Sequence, residues 1–153
     1  MILKENVEKI VLSGIEGKSV FLVEVKVKHP NRIVVEVDKP EGITIEECAE
    51  ISRWVESMLD REVEDFELEV SSPGLTEPLK VIGQYRKNCG KPVNVLQRDG
   101  EKINGILRSV NEEGIVLEVK TKVGEKGKKL QTVVQPVPLK FGEIKTTKVT
   151  ITF

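Results

Sequence analysis

The stretch that most limits how this chain can fold is Leu68–Lys80, LEVSSPGLTEPLK. It begins with the apolar–acidic alternation of a strand and stops at Ser71-Ser72-Pro73-Gly74, with a second proline, Pro78, close behind. Proline fixes its own φ and lacks an N–H, while glycine admits backbone conformations that other residues avoid. No regular element can run through such a segment. The charge changes sign at the same place. Residues 1–75 hold 9 basic and 17 acidic side chains, net −8, and residues 76–153 hold 15 basic and 8 acidic, net +7. An evenly mixed chain would not divide this way.

A chain of 153 residues can form one ordinary domain or two small ones. We expect an acidic α/β sheet domain over 1–75, a Pro/Gly-bounded linker over 76–79 and a basic domain over 80–153. The basic one is the better candidate to meet phosphate. No run approaches the roughly 18 to 20 apolar residues that span a bilayer. The opening MILKENVEKIVL carries acids and bases within its apolar pattern, unlike a secretion signal. A cytoplasmic protein with no membrane partner is therefore expected. Cys48 and Cys89 form no CxxC and no cluster with the single histidine, so neither a disulfide nor a metal site is expected.

In the first half, Leu3, Val7, Ile10 and Val11 recur at helical spacing, and Gly14 and Gly17 are expected to end that helix. In SVFLVEVKVK, Phe21, Val23, Val25 and Val27 are expected on one strand face and Glu24, Lys26 and Lys28 on the other. The turn His29–Arg32 leads to a second, antiparallel strand, Ile33–Val37. Thr44, followed by Glu47 at the third helical position, reads as a capping box. The helix it opens should run to about Asp60, with Cys48, Ile51, Val55, Met58 and Leu59 buried and Trp54 on the flank. FELEV is a third strand. Helix, strand, strand, helix, strand suggests a small sheet with both helices on one face. Nothing here has the layout of a catalytic site: His29 lies in a turn, Cys48 on an apolar stripe, and the carboxylates alternate with apolar positions as a solvated face does.

In the second half, LKVIGQYRKNCG is expected to be a short helical lead-in ending at Gly90. Strands follow at PVNVLQ, KINGILRSV, IVLEVK, LQTVVQPVPL and TKVTITF, with one helical turn at LKFGEIK. Five short strands with glycine-bearing turns suggest a small SH3- or Sm-like β barrel, so the whole chain is α+β. Gly105 is expected at a bend or bulge. The loop Thr121–Lys129 is Gly-rich and basic, but it fails the phosphate-loop pattern twice. Position 122 is Lys where glycine is required, and Gly127-Lys128 is followed by Lys129 rather than Ser or Thr. We therefore expect no cofactor. Phosphate contact is expected from Arg86, Lys87, Lys91, Arg98, Lys122, Lys126, Lys128 and Lys129, with Arg108 and Lys120 in the same domain. Only Tyr85 and Phe141 could stack on bases, which favours structured RNA read by shape and phosphate over a single strand.

ELEVSSPGLTEPL resembles the strand-to-linker motif of the ribosome maturation factor RimP family, V-S-S-P-G-L-D-R-P-L. The match falls on Val70, Ser71, Ser72, Pro73, Gly74, Leu75, Pro78 and Leu79. Tyr85 and Gly90 echo the family's F-x-x-x-x-G, and Gly105, Ile106 and Leu107 its G-x-L strand. The likeness covers almost the whole chain. It departs at Thr76-Glu77, where the family has Asp-Arg, so no phosphate contact is expected from Glu77. It departs again at TTKVTITF, which lacks the family's alanine and arginine. The resemblance implies a monomeric, non-enzymatic assembly factor. Such a factor binds immature 30S subunits near 16S rRNA and the twelfth small-subunit ribosomal protein. Ser71, Ser72, Pro73, Gly74 and Pro78 then become candidate interdomain or partner-facing residues, the serines bonding local backbone to hold the turn. The competing expectation is a free RNA-binding or RNA-chaperone module built on an Sm-like ring.

Overall fold

A computed structural model describes residues 1–74, 76–124, 127 and 129–150. Lys126 and Lys128 lie outside them. The chain is α+β and divides into two compact units, Met1–Gly74 and Leu75–Phe153.

The first unit runs α1 (Lys4–Ile15), β1 (Phe21–Lys28), β2 (Arg32–Asp38), α2 (Ile45–Met58) and β3 (Glu67–Ser71). β1 and β2 are antiparallel, and α2 carries the chain across so that β3 lies parallel to β2, in the order β1-β2-β3. Val7, Val11 and Ile15 of α1 and Ile51 and Val55 of α2 meet Val25, Ile33, Val35 and Val37 of the sheet in one core. At α2 the capping box is complete. Glu47 N–H donates to Thr44 Oγ1 at 3.1 Å, and Thr44 N–H donates to Glu47 Oε1 at 3.1 Å. Asn31, at φ 81°, closes the base of the unit. Its amide nitrogen donates to Glu64 and to the Asp65 carbonyl, its side-chain oxygen accepts from Ile2 N–H, and its own carbonyl accepts from Glu67 N–H.

Four local expectations are corrected here. α1 runs through Gly14, and only Gly17, at φ 77°, lies beyond its end. Gly14 serves packing instead. A Cβ there would lie 2.3 Å from Trp54 Cδ1, and the indole is pinned by its Nε1–H donating to the Ile10 carbonyl at 2.8 Å. In β1, a bulge between Leu22 and Glu24 makes Val23 an extra residue. The faces switch there, so Leu22 joins Val25 and Val27 against the core, while Val23 is buried outside that cluster. Lastly, α2 stops at Met58, and Met58 is exposed rather than buried.

The second unit comprises α3 (Ile82–Lys87), β4 (Pro92–Gln97), β5 (Lys102–Val110), β6 (Gly114–Val123), β7 (Gln131–Lys140), a 3-10 turn at Phe141–Glu143, and β8 (Ile144–Val149). Its antiparallel strands pair in the order β7-β6-β5-β4-β8, and among the described residues no ladder closes that order into a ring. Thr121–Val123, expected in a loop, belong to β6. The last strand starts at Ile144, three residues before TKVTITF, and Ile151–Phe153 lie outside the described residues. Gly105 is not a bulge residue. The bulges fall between Leu107 and Ser109 and between Leu96 and Gln97. Gly105 instead lets β5 approach β6, since a Cβ would stand 2.7 Å from the Glu118 carbonyl oxygen. Val93, Val95, Leu107, Ile115, Leu117, Leu139 and Ile144 form the core with Tyr85. The Tyr85 hydroxyl donates to buried Thr147 Oγ1 at 2.9 Å, and its ring meets Phe141 edge-on at 5.3 Å.

Three outcomes follow. Gly14→Ala, which by helix propensity alone would stabilise by about 1 kcal/mol, should destabilise by about 1–3 kcal/mol through overpacking. In a Trp54→Ala background the sign should revert, as urea melts will read. Tyr85→Phe and Thr147→Val should each cost about 1–2 kcal/mol, since each strands a buried hydroxyl or removes its bond. The double variant should cost less than their sum in a double-mutant cycle. The third concerns pH. Lys39 Nζ lies 2.8 Å from Glu47 Oε2. That hydrogen bond, then the Thr44 backbone N–H, holds the Glu47 carboxyl below its ordinary value, and the same bond raises Lys39. A depressed carboxyl adds stability above its unfolded pKa and loses it as pH falls through the folded one; the raised Lys39 loses its part only as pH rises through the alkaline range. Glu47→Gln should therefore flatten the acid limb of a stability–pH curve while leaving its shape near neutrality unchanged.

Candidate nucleic-acid interface

Strand parity decides what the second unit shows to solvent. Successive side chains of a strand point to opposite faces. On β4, Val93 and Val95 are buried, so Pro92, Asn94 and Leu96 take the other face. On β5, Leu107 and Ile103 turn inward, and Lys102, Asn104 and Ile106 outward. On β8, Thr147 and Val149 turn inward, and Thr146 and Lys148 outward. On β6, Leu117 and Val119 face the core, and Glu118 and Lys120 face away.

Register then assembles these outward positions. Asn94 lies opposite Lys148 on one side and Asn104 on the other, and Leu96 lies opposite Thr146 and Lys102. With adjacent strands about 4.8 Å apart, the Lys148–Asn94–Asn104 row spans roughly 10 Å. Two shallow concavities open along it. One, of about 410 Å³, is walled by Asn94, Leu96, Lys102, Asn104, Thr146 and Lys148. The other, of about 360 Å³, shares Asn94 and Asn104 and adds Pro92, Ile106 and Lys120. Glu118 borders the second, and Arg108 holds it in an ion pair at 2.9 Å. Among the described residues, the side chains of Asn94, Asn104, Lys102, Lys120 and Lys148 have no hydrogen-bond or ionic partner. This face therefore offers three unmatched ammonium groups around two free amides.

Among the described residues, the cations singled out from sequence are spread over several elements. Arg86 and Lys87 occupy the last turn of α3, where the helix dipole favours positive charge. Lys91 is exposed just before β4, while Arg98 is exposed just after it. The six residues of β4 separate those two by about 20 Å. The Arg98 backbone N–H donates to the Glu143 carbonyl at 2.9 Å. Lys122 stands on β6 opposite Thr132, and Lys129 is exposed before β7. Lys126 and Lys128 lie outside the described residues. Tyr85 is buried, and Phe141 is part-buried and packs edge-on against it.

The linker residues are likewise accounted for one by one. Ser71 ends β3 opposite Glu36, and Ser72 and Gly74 are exposed. Among the described residues neither serine hydroxyl has a hydrogen-bond partner. Pro78 precedes Leu79, whose N–H donates to the Thr147 carbonyl at 2.8 Å and whose side chain packs on the second core. Of the two thiols, Cys89 is exposed, while Cys48 is part-buried and pushed up by that burial. Among the described residues, no group of His, Cys, Asp and Glu could hold a metal ion, and no helix is long and apolar enough to cross a membrane.

Asn94, Asn104, Lys102 and Lys148 were missed as site candidates. Their alternation within each strand is visible in the sequence, but the pairing of β8 with β4 is not.

Comparison with known proteins adds a separate line. Residues 10–76 match the family model described as the RimP N-terminal domain. Over 148 residues the chain is 42% identical to the ribosome maturation factor RimP of Porphyromonas gingivalis strain W83, covering 95% of this chain and 96% of that protein. It is 38% identical over 153 residues to that of Christiangramia forsetii, covering 99% of each. With that of Flavobacterium psychrophilum it shares 32% identity over 155 residues and the full length of both.

Proposed function

The chain belongs to the ribosome maturation factor RimP family, and from that premise we propose that it is a non-enzymatic assembly factor for the small, 30S ribosomal subunit. Its target is the immature subunit near 16S rRNA and the twelfth small-subunit ribosomal protein. Full-length similarity to proteins of that name carries the reading. The division of charge supports a mechanism.

The second unit, read as an SH3-like barrel, supplies salt-sensitive attraction to rRNA phosphates. Arg86, Lys87, Lys91, Arg98, Lys122, Lys126, Lys128 and Lys129 contribute to that attraction. The first unit, with exposed Glu46 and Glu50 on α2, holds a basic ribosomal protein and keeps it off wrong RNA sites. Ser71, Ser72, Pro73, Gly74 and Pro78 join the two, so both act on one ribosomal surface. Linked contacts of modest strength suffice, because the second binding event is intramolecular once the first has formed. Modest strength also permits release as the subunit matures. The protein acts as a monomer in the cytoplasm.

Co-sedimentation with free 30S subunits, 50S subunits and 70S ribosomes across a salt series tests this. Selective pelleting with 30S, weakening as salt rises, is the expected result. Equal binding to naked RNA with no preference for 30S would instead mark a free RNA chaperone.

A further inference from the structure

We propose that the outward face of β4, β5, β6 and β8 docks on the sugar–phosphate backbone of RNA. Lys102, Lys120 and Lys148 take phosphates, and the Asn94–Asn104 pair takes ribose 2′-hydroxyls. The proposal rests on the ribosomal-RNA reading above and goes beyond it by naming the face and the chemistry.

Charge complementarity selects the occupant. Three exposed ammonium groups surround the two concavities without an acidic partner among the described residues. The bordering carboxylate, Glu118, is neutralised by Arg108. A polyanion fits that field, and its repeating charge matches cations set on β6, β5 and β8.

The amides narrow the class further. Cross-strand partners have Cβ atoms about 5 Å apart, and Asn94 and Asn104 are such partners. Each amide carries both donors and an acceptor. Neither is used within the protein, as judged over the described residues. A 2′-hydroxyl is also donor and acceptor at once, and it is the group by which a protein tells RNA from DNA. On either side of the Asn94–Asn104 row the lining is aliphatic, made by Leu96 on one side and by Pro92 and Ile106 on the other. It gives a ribose something to lie against but offers no ring for a base. Tyr85 and Phe141, packed on each other at 5.3 Å, supply none. Backbone and sugar, rather than stacked bases, are what this face can hold.

The test compares a roughly 16-base-pair RNA duplex, a length that spans successive grooves, with a DNA duplex of the same sequence. Binding is read by fluorescence anisotropy across a salt series. The wild-type chain should prefer RNA. Asn94→Ala with Asn104→Ala should erase that preference and leave the salt slope unchanged. Lys102→Gln with Lys148→Gln should weaken both duplexes and lower the slope by about 2. All four positions are exposed, and thermal melts confirm that the variants fold. Equal wild-type affinity for the two duplexes overturns the role of the amides. An unchanged slope in the lysine variant overturns the face. Pelleting with 30S separates the two levels of the argument. If wild type and lysine variant pellet alike, the assembly reading stands and this face is wrong. If wild type does not pellet at all, the assembly reading fails, while the duplex series still judges the face.

Discussion

The second unit is governed by a strict division of labour within its strands. Its core is aliphatic but for Tyr85 and Phe141, and it is filled by every other residue of short, paired segments. A strand that buries Val93 and Val95 has no choice about where Asn94 goes. Because β4 lies between β5 and β8, the positions left over on three strands line up into rows. Their spacing is set by the ladder rather than by side-chain flexibility. The same constraint explains Gly105. A side chain there would strike the Glu118 carbonyl, and the β5–β6 ladder would open beside Asn104.

Electrostatics separates the two units more sharply than net charge does. In the first unit, cations are spent on acids nearby. Lys26 lies 3.7 Å from Glu36 and 3.8 Å from Glu24, Arg32 pairs with Glu67 at 3.3 Å, and Arg61 bridges Glu56 and Asp65. Exposed pairs of this kind add little stability, but they quiet a strongly acidic surface and leave its excess at positions such as Glu46 and Glu50. In the second unit the balance reverses. Arg108 is matched to Glu118, while Lys102, Lys120 and Lys148 have no acid to meet among the described residues. Their charge is available to an external anion at no cost in broken contacts.

How much of this the sequence disclosed depended on whether the signal was local. Thr44 and Glu47 announced their cap because both partners lie within one turn. β4 and β5 could be bounded to the residue because their turns carry Asp-Gly and Asn-x-x-Gly. Gly14 was misread because its reason to be glycine is Trp54, forty positions away. Val23 was misplaced because a one-residue bulge inverts the face of everything before it. The stretch Thr121–Lys129 stood out because lysines concentrated in one run of sequence are easy to see. Lys102 and Lys148 drew none, because they become neighbours only through Leu96 and Asn94 on the strand between them.

That contrast bears on the docking face proposed for RNA. Lysines clustered in sequence and lysines brought together by a ladder contribute similarly to attraction, since screening in water is nearly indifferent to how a surface charge is mounted. They differ in what can be placed between them. A hydrogen-bonded ladder holds two amides at a fixed separation, within reach of the cations on either side. A ligand drawn in by charge is then presented with groups that accept only a matching pattern of donors and acceptors. An assembly factor must bind RNA firmly enough to act and loosely enough to leave. On the proposal above, attraction that salt can weaken, combined with recognition through two neutral side chains, meets both needs.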